Sequence, residues 1–181
     1  LEFRRVLFRS AEFYSGREGI IVGTEPISEF ILNQNPQIRV LSKYGVGLNN
    51  ICLQNLEKRG IHLGFTPGVN RQCVAELTVG MMFSLLHKIH ELSLLLREGG
   101  WNREGGFNLG GKTVGILGCG NVGKRVMELL APLNCNLLVT DIEDREEFCI
   151  RHGAKQVPFE EMIAQVDILS LHVPLTELTR G

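Results

Sequence analysis

The run Thr113-Val114-Gly115-Ile116-Leu117-Gly118-Cys119-Gly120-Asn121-Val122-Gly123-Lys124-Arg125-Val126 constrains this chain more than any other stretch. A short apolar strand passes straight into G-x-G-x-x-G, and the motif opens a helix. Each glycine then has a physical task. Gly118 turns the chain off the strand, Gly120 has no Cβ and lets a pyrophosphate approach the backbone, and Gly123 lets the helix pack close against the sheet. The free N–H groups at the helix start receive the negative charge. A second apolar strand, Asn136 to Thr140, ends in Asp141, twenty-three residues after Gly118. A carboxylate there accepts hydrogen bonds from a ribose 2′-OH and repels a 2′-phosphate, so the pattern predicts NAD rather than NADP. The bland alternative is a glycine-rich turn without a ligand, with Asp141 capping a helix.

Around this motif the chain alternates strands and helices, which predicts small parallel sheets flanked by helices. Ile20 to Gly23 reads as a strand, Ser28 to Asn33 as a helical turn, and Gln37 to Ser42 as a second strand. Gly45-Val46-Gly47 is a loop, Ile51 to Arg59 a helix closed by Gly60, and Ile61 to Gly64 a third strand. Thr66-Pro67-Gly68 breaks the chain. From Lys112 onward, strands are predicted at 113–117, 136–140 and 167–173, with a short one near Gln156-Val157, and helices at 122–133, 145–152 and 159–165.

Between these halves a single long helix is predicted from Arg71 to Glu98, with Asn70 as its N-cap and Gly99-Gly100 ending it. Its apolar residues cover more than one stripe, so it must be buried on several sides. Glu76, His87, Lys88, Glu91 and Arg97 interrupt the run well short of the ~18 continuous apolar residues of a membrane span. The reading is an interdomain helix that also packs on a second copy in a homodimer, with Phe83 and Leu86 as test positions. His87 and His90 share a face, but no carboxylate or cysteine completes a ligand set, so no metal site is predicted.

A formal net charge of −1 leaves no basic footprint for nucleic acid. The five cysteines are scattered and form no C-x-x-C, which fits reduced thiols in a cytoplasmic protein. Cys119 lies inside the glycine motif, at a position that tolerates many residues, and is read as filler. The first ten residues, Leu1-Glu2-Phe3-Arg4-Arg5-Val6-Leu7-Phe8-Arg9-Ser10, resemble the translation of a common sequencing adapter and are set aside from fold reasoning. The rival reading of that segment is a basic amphipathic arm or a transit peptide. Both ends of the chain are read as cuts in an incomplete reading frame.

Four further motifs carry a family resemblance. Lys43-Tyr44-Gly45-Val46-Gly47-Leu48-Asn49-Asn50-Ile51 resembles the glycine loop of the D-isomer-specific 2-hydroxyacid dehydrogenases. Thr66-Pro67-Gly68-Val69-Asn70 followed by Val74-Ala75-Glu76-Leu77-Thr78 is similar to that family's entry into its long helix. Leu109-Gly110-Gly111-Lys112-Thr113-Val114-Gly115 and His172-Val173-Pro174-Leu175-Thr176 complete the set, in the family's order across residues 43–181. The likeness is closest to the phosphoglycerate dehydrogenase branch.

The resemblance implies an α/β protein with a partial flavodoxin-like substrate domain over 11–70. An interdomain helix and the first half of a doubly wound (Rossmann) NAD-binding domain would follow over 71–181. It implies that backbone N–H groups at Val46 and Gly47 hold a substrate carboxylate, although Gly45 and Gly47 also read as ordinary turn residues. Thr78 would lie near the nicotinamide, or else bond within its own helix. Asn121 and Val122 would sit over the pyrophosphate, Asp141 would hold the adenosine ribose, and Val173 and Pro174 would line the cofactor crevice. The family transfers hydride between NAD and a small D-2-hydroxy or 2-keto acid, here possible on a 3-phosphoglycerate-like substrate. It uses an arginine, a histidine and a carboxylate, which the resemblance places beyond Gly181, so no catalytic residue is assigned within this chain. His172 falls on the cofactor side and is not promoted to the base. The fragment is expected to lack turnover of its own. A reading of another class stands beside this one: a nucleotide-sensing binding protein on the same scaffold, like the family's transcriptional corepressor relatives.

Overall fold

A computed structural model describes residues 11–103 and 105–180, so the adapter-like decamer lies outside the described residues. The chain divides after Val69 into two compact units, each with its own parallel sheet. The α/β class expected from the alternation is the class adopted.

The first unit contains strands β1 (Gly19–Val22), β2 (Val40–Lys43) and β3 (His62–Gly64), hydrogen-bonded in that order. All are parallel, with Ile20 beside Leu41 and Leu41 beside Leu63. Helix α1 (Glu29–Gln34) follows β1, and α2 (Leu53–Lys58) precedes β3. Most bounds shift by one residue, and two starts shift by more for local reasons. β2 starts at Val40 rather than Gln37 because the Ile38 N–H turns back onto the Asn35 carbonyl at 3.2 Å. α2 starts at Leu53 because Ile51 instead forms a parallel bridge with Ile27. Val22, Ile31, Leu32 and Leu41 are fully buried at the centre of this unit.

The second unit carries strands β4 (Thr113–Leu117), β5 (Asn136–Thr140), β6 (Ala154–Gln156) and β7 (Ile168–Leu171) in the order β6-β5-β4-β7. β4 and β5 have the bounds read from the sequence, since each is an apolar run closed by a residue that must leave the sheet. Helix α5 (Asn121–Leu130) ends in a 3-10 turn, Ala131–Leu133, where Pro132 supplies no N–H. Helices α6 (Glu146–Arg151) and α7 (Phe159–Ile163) complete the layer connections. Val114, Ile116, Val126, Met127, Leu130 and Val139 form the fully buried centre.

The single long helix is the clearest correction. The chain forms α3 (Arg71–Leu86) and α4 (Ile89–Arg97), bent by 62° at a break that contains no proline or glycine. Lys88 sits at φ 52°, ψ 32°, a left-handed conformation that costs a non-glycine residue about 1–2 kcal/mol. A tertiary contact explains it. The Phe107 N–H bonds the Leu86 carbonyl at 2.9 Å, and a Cβ at Gly106 would lie 2.2 Å from that same oxygen. The connecting segment thus takes the carbonyl that a continuous helix needs for residue 90. Asn70 does precede α3, but its side chain makes no cap bond, and its Oδ1 is buried without a hydrogen-bond partner among the described residues. Its φ of −97° and ψ of 6° depart from the extended geometry that capping requires.

α3 is apolar on two sides, and the core of its own unit covers one of them. Ala75 and Met82 are buried, and Val79, Phe83 and Leu86 pack on the second unit's core. Leu77, Met81 and Leu85, one helical face at i, i+4, i+8, remain exposed. Phe83 and Leu86 therefore belong to the core and are not the outward positions the sequence suggests. No single described helix is long and apolar enough to cross a membrane.

Candidate dinucleotide site

In the second sheet β4 is flanked by β5 on one side and β7 on the other, so the strand order reverses at β4. In open α/β sheets, ligands bind outside the carboxyl ends of the strands at such a reversal. Gly118 follows β4, Asp141 follows β5, and Val173 and Pro174 follow β7, which brings these sequence-predicted residues to one sheet end.

The glycine loop is built for close approach. Gly118 has φ +96°, and a Cβ there would lie 2.8 Å from the His172 carbonyl oxygen and 2.9 Å from Val173 Cγ1. Gly123 presses α5 onto the loop: its Cβ would lie 2.0 Å from the Gly118 carbonyl oxygen. Gly120 differs, since a Cβ there meets nothing within 4 Å. Gly120 is also the N-cap of α5, and no side chain caps the helix. The N–H groups of the first turn, at Asn121, Val122 and Gly123, have no intrahelical carbonyl to bond. The space beside Gly120 is open, and a helix start with free donors and a positive dipole end makes it a cradle suited to an anion.

Asp141 is anchored beside this cradle. Its Oδ2 accepts the Cys119 N–H at 2.6 Å and its Oδ1 accepts the Glu143 N–H at 2.9 Å. A carboxylate offers about four acceptor directions, so each oxygen retains one for a ligand hydroxyl. The carboxylate is thus oriented by backbone rather than by a mobile partner. Asp141 does not cap α6, whose N-cap is Arg145. Together the open Gly120 position, the uncapped helix start and the anchored carboxylate fit the pyrophosphate and ribose of a dinucleotide.

Cys119 belongs to the second unit's core. It is fully buried, its thiol faces Met127 Sδ at 3.8 Å, and burial, with Cys149 nearby, pushes its pKa up to about 11. A thiol so held is protonated and inert, consistent with a packing role. Nε2 of His172 lies 2.9 Å from Ser170 Oγ, and burial lowers the imidazole pKa, which favours the neutral ring. Val173 packs on Gly118, and Pro174 is exposed with its carbonyl accepting the Thr179 hydroxyl at 2.6 Å. Thr78 donates its hydroxyl to the Val74 carbonyl of its own helix at 2.8 Å, so that proton is spent internally.

In the first unit, Val46 and Gly47 lie in the loop after β2, Val46 half-buried and Gly47 exposed. Gly45 has φ +109°, which fixes the turn to glycine. Polar side chains brace the base of this loop. Lys43 Nζ donates to the Gly23 carbonyl and, at 2.9 Å, to Asn50 Oδ1. Asn50 Nδ2 donates to the Gly23 and Glu25 carbonyls at 3.1 and 2.7 Å. The Glu25 carboxylate accepts the Gly23 N–H at 3.0 Å and the Tyr14 hydroxyl at 2.9 Å. Burial alone would raise the Glu25 pKa, but the N–H groups of Glu25 and Gly23, the Tyr14 hydroxyl and the Lys43 ammonium outweigh it, and the carboxyl is held below its usual range. The loop is therefore rigid at its root, with its N–H donors carried on a preset turn.

Sequence reasoning passed over Arg145, whose Nε lies 4.0 Å from Asp141 Oδ1. The available signal was its i, i+4 spacing from Asp141 and its place as the only cation in Asp141-Ile142-Glu143-Asp144-Arg145-Glu146-Glu147.

Comparison with known proteins agrees with this geometry. Residues 79–181 match the sequence profile described as D-isomer specific 2-hydroxyacid dehydrogenase, NAD binding domain. A glyoxylate reductase of Korarchaeum cryptofilum is 32% identical over 162 residues, covering 86% of this chain and 49% of that protein. A D-3-phosphoglycerate dehydrogenase of Pongo abelii is 31% identical over 167 residues, covering 91% of this chain and 31% of that protein. The crystal structure of a D-lactate dehydrogenase from Aquifex aeolicus, complexed with NAD and lactic acid, superposes with a TM-score of 0.85 at 24% identity, over 93% of this chain and 52% of that one. This last likeness speaks for the fold alone. The chain spans about half the length of the glyoxylate reductase it matches, and nothing in the comparisons supports the corepressor reading. With the profile lying over the glycine loop, the anchored Asp141 and the β4 switch point, the chain belongs to the D-isomer specific 2-hydroxyacid dehydrogenase family, and its second unit is built from that family's NAD-binding domain.

Proposed function

We propose that this chain is the cofactor-holding part of an oxidoreductase that moves a hydride between NAD and a small D-2-hydroxy acid, giving the 2-keto acid, NADH and a proton. The observation that carries the reading is the anchored Asp141 beside the uncapped α5 start, two anion- and hydroxyl-binding features set at one sheet end. NAD, when bound, supplies the hydride acceptor. The first-turn N–H groups at Asn121 and Val122 bind the pyrophosphate, and the Asp141 carboxylate takes the adenosine ribose hydroxyls. Val173 and Pro174 wall the crevice and exclude water, and Thr78 lines the nicotinamide side with a hydroxyl whose oxygen still accepts. In the first unit the braced N–H groups at Val46 and Gly47 orient the substrate carboxylate. No residue of this chain is assigned the proton transfer, and a neutral His172 bonded to Ser170 is not given that role. The relatives' names cover glyoxylate, phosphoglycerate and hydroxypyruvate, so the substrate class proposed is a short 2-hydroxy acid and its 2-keto counterpart.

The test is calorimetric titration of the chain with NAD, followed by NADH-loss assays with glyoxylate, hydroxypyruvate and phosphohydroxypyruvate. NAD binding without turnover fits the proposed division of labour. Turnover lost on Gly120→Asp would place the proton-transfer group within these residues. Asp141→Asn, which keeps one acceptor oxygen for the loop N–H groups, is expected to weaken NAD binding by about tenfold or more, the scale of a hydrogen bond to a charged group. An unchanged NAD affinity would remove Asp141 from the ribose.

A second copy of the chain is proposed to cover the outer face of α3. Leu77, Met81 and Leu85 are 59%, 55% and 78% exposed on one continuous stripe, an arrangement typical of an interface. Charge placed in the middle and at the end of this stripe tests the idea: Met81→Asp with Leu85→Asp is expected to give folded monomer in light scattering, against a dimer for the parent chain. Phe83→Asp should instead unfold the unit, because Phe83 packs on its core. A persistent dimer in the double variant would place the interface elsewhere.

A further inference from the structure

We propose that Arg145 is a cofactor-specificity residue: a guanidinium beside the ribose end of the site, occupied by Asp141 and Glu143, that takes a 2′-phosphate once those carboxylates are neutralised. The inference rests on the assignment of Asp141 to the adenosine ribose.

Arg145 stands at the end of the loop that Asp141 begins. Its Nε is 4.0 Å from Asp141 Oδ1, an ion-pair distance too long for a hydrogen bond. An Nη2 proton goes to the Glu143 carboxylate. Nε itself is buried and has no hydrogen-bond partner among the described residues. Buried donors are nearly always paired, so the orphan Nε leaves Arg145 with donor capacity that its two carboxylate neighbours do not use. The side chain as a whole is 26% exposed, so its outer edge reaches solvent. The loop does not depend on the ion pairs for its shape. The Arg145 N–H bonds Gln156 Oε1 at 2.6 Å, and Gln156 Nε2 bonds the Glu143 carbonyl at 2.9 Å.

Distance and chemistry both suit the role. A hydroxyl donating to Asp141 Oδ1 lies within about 7 Å of Arg145 Nε, because an O–H···O bond spans about 2.7–2.8 Å. A phosphate on that hydroxyl comes within reach of the guanidinium, whose planar fork matches phosphate oxygens. In the native loop the charge of Arg145 is spent on Asp141 and Glu143, and Asp144 and Glu146 add negative charge nearby. A 2′-phosphate therefore meets net repulsion, and selectivity for NAD follows from who holds Arg145 as well as from Asp141 alone.

The experiment uses the 181-residue chain and calorimetric titration with NAD, NADP, 5′-AMP and 2′,5′-ADP, the last pair isolating the 2′-phosphate. The Asp141→Asn/Glu143→Gln variant is expected to gain at least about tenfold in 2′,5′-ADP affinity over wild type, with 5′-AMP affinity not rising. Adding Arg145→Gln should abolish that gain, with thermal melting unchanged from the double variant. Glu143→Gln alone, which leaves the backbone bonds of Asp141 intact, should give a smaller gain of about threefold, also lost with Arg145→Gln. A gain that survives Arg145→Gln, or no gain in either carboxylate variant while NAD still binds, overturns the proposal. Wild-type chain that binds no NAD overturns the ribose assignment and the proposal with it.

Discussion

Replacing Gly120 with aspartate is expected to abolish NAD binding while leaving the fold as stable as before, or slightly more so. The backbone at Gly120 lies at φ −80°, ψ −157°, open to any residue, and a Cβ there meets nothing within 4 Å. Aspartate is also among the best N-cap residues, and its carboxylate would bond the first-turn N–H groups of α5, which no described side chain now caps. Relative to glycine this gains only a few tenths of a kcal/mol. The same carboxylate fills the cradle and repels the pyrophosphate. The expected loss of NAD affinity is about a hundredfold or more, combining occupied donors with like-charge repulsion. Fluorescence titration with NADH and a thermal melt check both halves. Retained NADH binding would move the pyrophosphate away from α5.

Gly123→Ala should do the opposite and damage the fold first. Alanine improves helix propensity by about 1 kcal/mol. Its Cβ, however, would lie 2.0 Å from the Gly118 carbonyl oxygen and 3.2 Å from Ile116 Cγ2. The clashing atom is backbone rather than the end of a flexible side chain, so it does not give way cheaply. Helix α5 must therefore lift from β4, loosening Val126, Met127 and Leu130, all fully buried. Overpacking of this kind costs typically about 1–3 kcal/mol and occasionally more, so the clash outweighs the propensity gain. A net loss of about 2 kcal/mol in urea unfolding is expected, with NAD binding weakened as the cradle shifts. An alanine variant as stable as the parent would mean that α5 is free to slide.

The contrast between these two glycines shows what local sequence can carry. The G-x-G-x-x-G spacing identifies both, because a strand, a tight turn and a helix start impose their needs over about ten consecutive residues. Strands β4 and β5 are legible to the residue for the same reason. Asp141 is legible as a strand-end carboxylate. That its two oxygens are taken by the N–H groups of Cys119 and Glu143 is not, since one of those bonds joins positions twenty-two residues apart. Thr78 stood open between a cofactor contact and a bond within its helix, and its proton goes to Val74. Val46 and Gly47 were legible as a loop, whereas the brace of Lys43, Asn50 and Glu25 beneath it depends on three segments meeting.

Sequence by itself determined the alternation of elements, the parallel α/β class and the dinucleotide cradle, because these follow from apolar period, chain reversal and close backbone approach, while the family showed in its motifs through their resemblance to known dehydrogenases. Tertiary structure alone decided that residues 71–98 form two helices. Every residue from Leu86 to Ile89 tolerates a helix, and it is the Gly106–Phe107 segment, taking the Leu86 carbonyl, that forces Lys88 into its left-handed turn. It likewise decided which face of α3 is core and which is free, and that Arg145 stands beside Asp141. Such facts depend on which distant segment competes for a given carbonyl, face or charge, and no local pattern records that competition.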